Sequence, residues 1–197
     1  MAVHKKIKVT NHFSRLQISI FVVLFALIGG YFIINSFAAT NDLPSCTTTV
    51  SSTAAVQTAL NAAPAGSSIC LSDGTYGKLS LTATKTTPGV TIRAQNPGQS
   101  IINGASLSGA YLTIAQFKTT DEIITQNNSD HMTIQHNFIT GGYMGATTGP
   151  GTYNSQRVTN ITVRGNRFVG PLGEDGIRAN QYNNLVEIGR ASCRERV

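Results

Sequence analysis

Along this chain, apolar and polar residues alternate in short bursts, and one pattern recurs: apolar, Thr, apolar. It stands at Val90-Thr91-Ile92, Leu112-Thr113-Ile114, Met132-Thr133-Ile134 and Ile161-Thr162-Val163, at spacings of 22, 20 and 29 residues. Alternation with period two predicts a half-buried strand, apolar side chains inward and Thr outward. The last two copies match over a longer block. Met132 to Ile139 aligns with Ile161 to Phe168, and each block places an Asn (Asn137, Asn166) three residues after its second apolar position. A strand-bearing unit that returns every roughly 20–30 residues has the length of one coil of a β-solenoid. The recurring Asn then predicts a corner at which stacked amides hydrogen-bond from coil to coil. The longest interval contains Gly141 to Gly151, whose Gly- and Thr-rich composition predicts a loop projecting from the stack.

Ahead of the first coil, Thr53 to Ala63 changes period. Val56, Leu60 and Ala63 fall on one helical face, Ser52 or Thr53 can cap the start, and Pro64 with Gly66 ends the segment. A solenoid leaves a raw strand edge at its end, so an amphipathic helix here is expected to cover it.

The two ends follow other rules. Lys5, Lys6, Lys8 and Arg15 precede an apolar run from Ile18 to Ile34, and small residues at Ser36 and Ala38 suit a cut before Ala39. These are the parts of a secretory signal. The run is long for a signal peptide and slightly short for a membrane span, so residues 1–38 are expected to be either a cleaved signal or an uncleaved anchor. Either places the rest extracellularly or at the cell surface, with membrane contact only through this segment. Residues 187–197, Glu187 to Val197, are charge-rich, leave the strand pattern and match the translation of a common short-read sequencing adapter. They are set aside from the fold, which leaves 39–186 as the readable part of a C-terminally truncated domain.

Charge changes the picture once it is divided this way. Most of the chain's net +6 comes from its ends. Between them, eight Lys and Arg face seven Asp and Glu. That region lacks the basic stripe a nucleic-acid binder uses against phosphates. It is rich in Thr, Asn, Gly, Ile and Val, which favours strands and turns. Two cysteines fall there, Cys46 and Cys70. In an oxidising compartment such a pair reads as a disulfide, the alternative being two buried thiols.

The stretch from Leu60-Asn61-Ala62-Ala63-Pro64-Ala65-Gly66 through Asp73-Gly74-Thr75-Tyr76, then Val90-Thr91-Ile92-Arg93-Ala94-Gln95-Asn96-Pro97-Gly98, resembles the opening of pectate-lyase-like right-handed parallel β-helix proteins. It is most similar to the chondroitinase-B and alginate-lyase group, and the resemblance covers roughly residues 50–186. It implies an all-β, single-stranded right-handed parallel β-helix with an N-terminal capping helix. It also implies a polysaccharide partner and, in its enzymes, elimination at a uronate whose carboxylate is neutralised by Ca²⁺ or Arg. Non-catalytic surface proteins share the same opening. In the group this chain most resembles, the catalytic residues would lie beyond residue 186, so none is carried over; glycan identity and oligomeric state are not legible.

Local candidates remain. In Glu174-Asp175-Gly176-Ile177-Arg178, Asp175 is the candidate Ca²⁺ ligand and Arg178 a candidate partner for a substrate carboxylate. The plainer reading is a turn acid before a strand and a solvated Arg. Asp121-Glu122 before Ile123 reads the same way. Tyr143 and Tyr153 bracket the Gly-rich loop and are candidates for stacking on sugar rings, against ordinary packing. His131 and His136 flank a strand without the spacing or third ligand of a metal site. Two functions therefore stand: an exported polysaccharide lyase, or a non-catalytic surface protein that binds carbohydrate or mediates adhesion.

Overall fold

The computed structural model describes residues 43–142, 144–147, 158–168, 177–178 and 182–188. Residues 1–38 therefore lie outside the described part, and so do 189–197. Among the described residues, no helix is long and apolar enough to cross a membrane.

About half of the described chain is strand, and it holds one helix, α1, at Thr53–Ala62. Ser52 caps it, its Oγ accepting from the Ala55 N–H at 3.3 Å. Val56 and Leu60 are fully buried, as the 3.6-residue pattern requires.

The strands fall into three parallel sheets. The first is built from β1 (Thr48–Val50), β2 (Ser68–Leu71), β5 (Val90–Ala94), β8 (Leu112–Ala115), β11 (Thr133–Gln135), β14 (Val158–Arg164) and β17 (Tyr182–Ile188), in that order. The second stacks β4 (Leu79–Thr84), β7 (Ala105–Ala110), β10 (Ile123–Gln126), β13 (Met144–Thr147) and β16 (Ile177–Arg178). The third stacks β3 (Gly74–Tyr76), β6 (Ser100–Ile102), β9 (Lys118–Thr119), β12 (Phe138–Ile139) and β15 (Arg167–Phe168). From β2 onward each strand pairs with the one three places later in the chain. Three strands and three corners thus make one coil of a parallel, solenoid-like stack.

The apolar-Thr-apolar copies are the first sheet in register. Thr91 pairs with Thr113, Thr113 with Thr133 and Thr133 with Thr162, while Ile92, Ile114, Ile134 and Val163 line up beside them. The apolar members point inward and are buried. The inward row of the third sheet is Tyr76, Ile102, Thr119, Ile139 and Phe168. Thr119 is fully buried there and donates from Oγ1 to Asp121 O at 2.7 Å, so the polar side chain costs little.

The Asn corner forms. Asn137 Oδ1 accepts from Phe117 N–H at 3.1 Å, and Asn166 Oδ1 accepts from Asn137 N–H at 2.9 Å and from its Nδ2 at 3.0 Å. Asn137 Nδ2 also donates to Ile114 O and Asn166 Nδ2 to Ile134 O. Both amides are buried; each satisfies backbone groups of the preceding coil that the bend leaves without ladder partners.

Backbone with positive φ brackets the first sheet. Gly89, Tyr111 and His131 come just before its strands and take φ of 88°, 57° and 50°, while Asn160, inside β14, takes 52°. At Gly89 no side chain fits, because a Cβ would lie 2.5 Å from Tyr111 O.

Two features differ from the sequence-based expectation. Met144–Thr147, inside the segment read as a loop, is strand β13 and pairs with β10. Met144 is buried and Gly145 lets the ladder close around it, so composition alone hides the strand. β17 runs through Glu187 and Ile188, which pair with Val163 and Arg164, two residues past the boundary drawn at Val186.

Helix α1 closes the second sheet at β4. Gln57 Nε2 donates to Thr82 O at 2.9 Å and Gln57 Oε1 accepts from Thr82 N–H at 3.0 Å. Lys85 Nζ donates to Asn61 O and Ala63 O, the free carbonyls at the helix end.

Candidate functional site

A groove of about 490 Å³ runs over the outer face of the first sheet. Its floor is the Thr ladder, Thr91, Thr113 and Thr133, and it ends on Gln135 and Arg164. The ladder exists because each coil presents its strand in the same register, so hydroxyls recur at one strand spacing, about 4.8 Å. Gln135 and Arg164 are register partners on neighbouring coils, and Arg164 Nε donates to Gln135 Oε1. That bond aims the guanidinium along the face.

One wall is the corner at Gly66, Pro88 and Gly89; the other is Leu43-Pro44. The second wall is held in place downstream. Thr47 pairs with Ser68 through its N–H (2.8 Å) and its Oγ1 (2.8 and 3.0 Å). Cys46 is disulfide-bonded to Cys70, with Cα atoms 5.6 Å apart.

Arg93 stands behind this wall in the outward row Cys70, Arg93, Ala115, Gln135, Arg164. Its guanidinium donates to Gln116 Oε1 and Ala94 O, each at 3.2 Å, and to Cys46 Sγ at 3.3 Å. Its Nε is buried without a partner, and burial lowers its pKa from the ordinary guanidinium value. Among the described residues no carboxylate lines the groove. Among the described lining residues Arg164 is the charged one, and Arg93 lies on an earlier coil in the same outward row.

At a corner of the stack, Tyr111 and His131 stack with centroids 4.4 Å apart, and His131 Nδ1 lies 2.7 Å from Asp130 Oδ2. These occupy the positions of Gly89 in the next two coils.

The sequence candidates are placed as follows. Arg178 lies on β16, opposite Gly145 in the second sheet, a different sheet from the one that carries the groove. Tyr143, Tyr153 and Asp175 lie outside the described residues. Asp121 Oδ1 accepts from Glu122 N–H, and Glu122 pairs with Lys78 at 3.1 Å; both hold a corner. Among the described residues no three His, Cys, Asp or Glu side chains converge to hold a metal ion, so no calcium ligand set is assigned. Gln135 and Arg164 were missed by sequence reading. Their signal was the aligned pair of blocks, which puts them at the same outward position.

The fold thus belongs to the parallel β-solenoid class. No protein-family model and no curated protein matches the chain. Among solved structures it is similar to the alginate lyase from Paenibacillus sp. str. FPU-7, with a TM-score of 0.50 and 17% identity. The match covers 72% of this chain and 65% of that one, so the chain spans less than two-thirds of that enzyme's length. At this identity the likeness is one of fold.

Proposed function

We propose that the chain is an exported, right-handed parallel β-helix protein whose groove binds an acidic, uronate-bearing polysaccharide, and that it serves a lyase acting on such glycans. The observation that carries the binding step is the Gln135–Arg164 pair at the end of the Thr ladder. A guanidinium oriented by an amide meets a carboxylate with two parallel donors, and hydroxyls at regular spacing suit the hydroxyls of successive sugars. In a lyase, neutralising the carboxylate acidifies the adjacent C–H, a base takes that proton and the 4-linked sugar leaves. Arg164 fits the neutralising role. Export rests on residues 1–38, and the likeness to an alginate lyase supports the glycan class. Calcium stays a proposal from the sequence resemblance.

One observation favours the second reading, a non-catalytic carbohydrate-binding or adhesion protein. The described lining side chains supply hydroxyls, an amide and a guanidinium, none of which is an ordinary proton acceptor. Titration calorimetry with short oligouronates and with neutral oligosaccharides of equal length tests the reading. Arg164→Gln, at unchanged melting temperature, is expected to weaken oligouronate binding roughly tenfold. Equal affinity for the neutral oligomers, or no loss in the variant, sinks it. Ultraviolet absorbance from an unsaturated product separates the lyase from the binder.

A further inference from the structure

The outer face of the third sheet carries a second charged row. In register along the stack it reads Thr75, Ile101, Lys118, Phe138 and Arg167. Arg167 is exposed and stands 5.5 Å over the Phe138 ring; Lys118 and Phe138 are half-buried. Elsewhere the cations are engaged. Lys78 pairs with Glu122, Lys85 caps α1, and Arg164 bonds Gln135. Among the described residues, neither Lys118 nor Arg167 has an ion-pair partner. Four of the described carboxylates are committed to other places. Asp73 holds Asn96, Asp121 and Glu122 hold their corner, and Asp130 faces His131. Among the described residues, the row therefore presents two cations and one aromatic ring with no acid in register with them.

We propose that this face is a second contact strip for an acidic polysaccharide, separate from the groove. Lys118 and Arg167 are two coils apart, so their anchor points lie roughly 9.6 Å apart along the stack. An extended polyuronate chain laid along the coils brings two of its carboxylates to the two cations, passing the Arg167–Phe138 pair between them. Arg on Phe138 is held side-on, which limits the rotamer freedom lost on binding. The groove takes a short segment, and the strip takes a further length of polymer, adding avidity without a new pocket. The ligand class is shared with the proposed function, but the residues are not.

The test uses the full chain and two probes, polymannuronate and a short mannuronate oligomer, with a neutral glucan as control. Lys118→Gln with Arg167→Gln is expected to weaken polymer binding about five- to thirtyfold, to reduce its salt dependence, and to leave oligomer binding unchanged. Lys118→Arg with Arg167→Lys is expected to retain polymer binding, which guards against a folding defect. Full polymer affinity in the Gln double variant overturns the strip while leaving the groove reading standing. Loss of oligomer binding in Arg164→Gln alone supports the groove independently. Equal binding of the neutral glucan, or no polymer binding by the unaltered protein, overturns the strip as well.

Discussion

Asp130 sits at a corner shared by successive coils, bridged in parallel to Ala110 on one side and to Thr159 on the other. Burial by itself raises its pKa, but hydrogen bonds from Thr159, Asn160 and His131, with the His131 charge, outweigh that and bring it from 3.8 to about 2. Among the described residues the charged neighbour is His131, stacked on the uncharged Tyr111. A carboxylate whose folded pKa lies below its unfolded value contributes stability that is fully present above the unfolded pKa. That contribution is lost as pH falls from about 4 toward about 2, because the unfolded chain takes the proton first. Asp130→Asn is therefore expected to flatten the fall of urea midpoints across this window. An unchanged slope in the variant would show that the corner network carries no such coupling. At the same scale, Asn137 and Asn166 were legible in the sequence because both blocks carry them. Gln135 and Arg164 were not recognised, because a Gln and an Arg on a strand look like any solvated face until the coils are stacked.

Single strands were legible in proportion to their length. The first sheet shows through because each copy offers two inward apolar residues around a Thr. The third sheet does not, because Lys118–Thr119, Phe138–Ile139 and Arg167–Phe168 are two residues long and offer one inward side chain each, in one case a Thr. The groove's Leu43-Pro44 wall had no local signal at all; it reaches the Thr ladder through β1 and the bonded cysteines. Upstream of Thr47, the described ties of this segment to the sheet are the Cys46–Cys70 disulfide and the Arg93 bond to Cys46. Replacing both cysteines by Ser is expected to cost ~3–4 kcal/mol, the loop-closure value for a sequence separation of 24. Urea melts of the oxidised protein and the variant measure it. A difference below about 1 kcal/mol would mean that pairing of β1 with β2 holds the segment unaided.

At the scale of the whole described stack, every sheet is made of contacts between one coil and the next, so stability is shared with neighbours and little beyond. Ile114→Ala removes a fully buried side chain from the middle of the first sheet and is expected to cost about 2–5 kcal/mol. Hydrogen exchange should show the added opening in the strands that flank it, β5 and β11, with β2 far less affected. Uniform loss of protection across all coils would contradict a nearest-neighbour architecture. The same architecture makes the molecule a one-dimensional crystal, in which each new coil grows on the face left by the last. Gln57, by imitating with one side chain the two backbone bonds of an absent strand, poisons that crystal at the β4 end. Growth at that edge of the second sheet is thereby closed, and a second copy finds no free strand there to pair with.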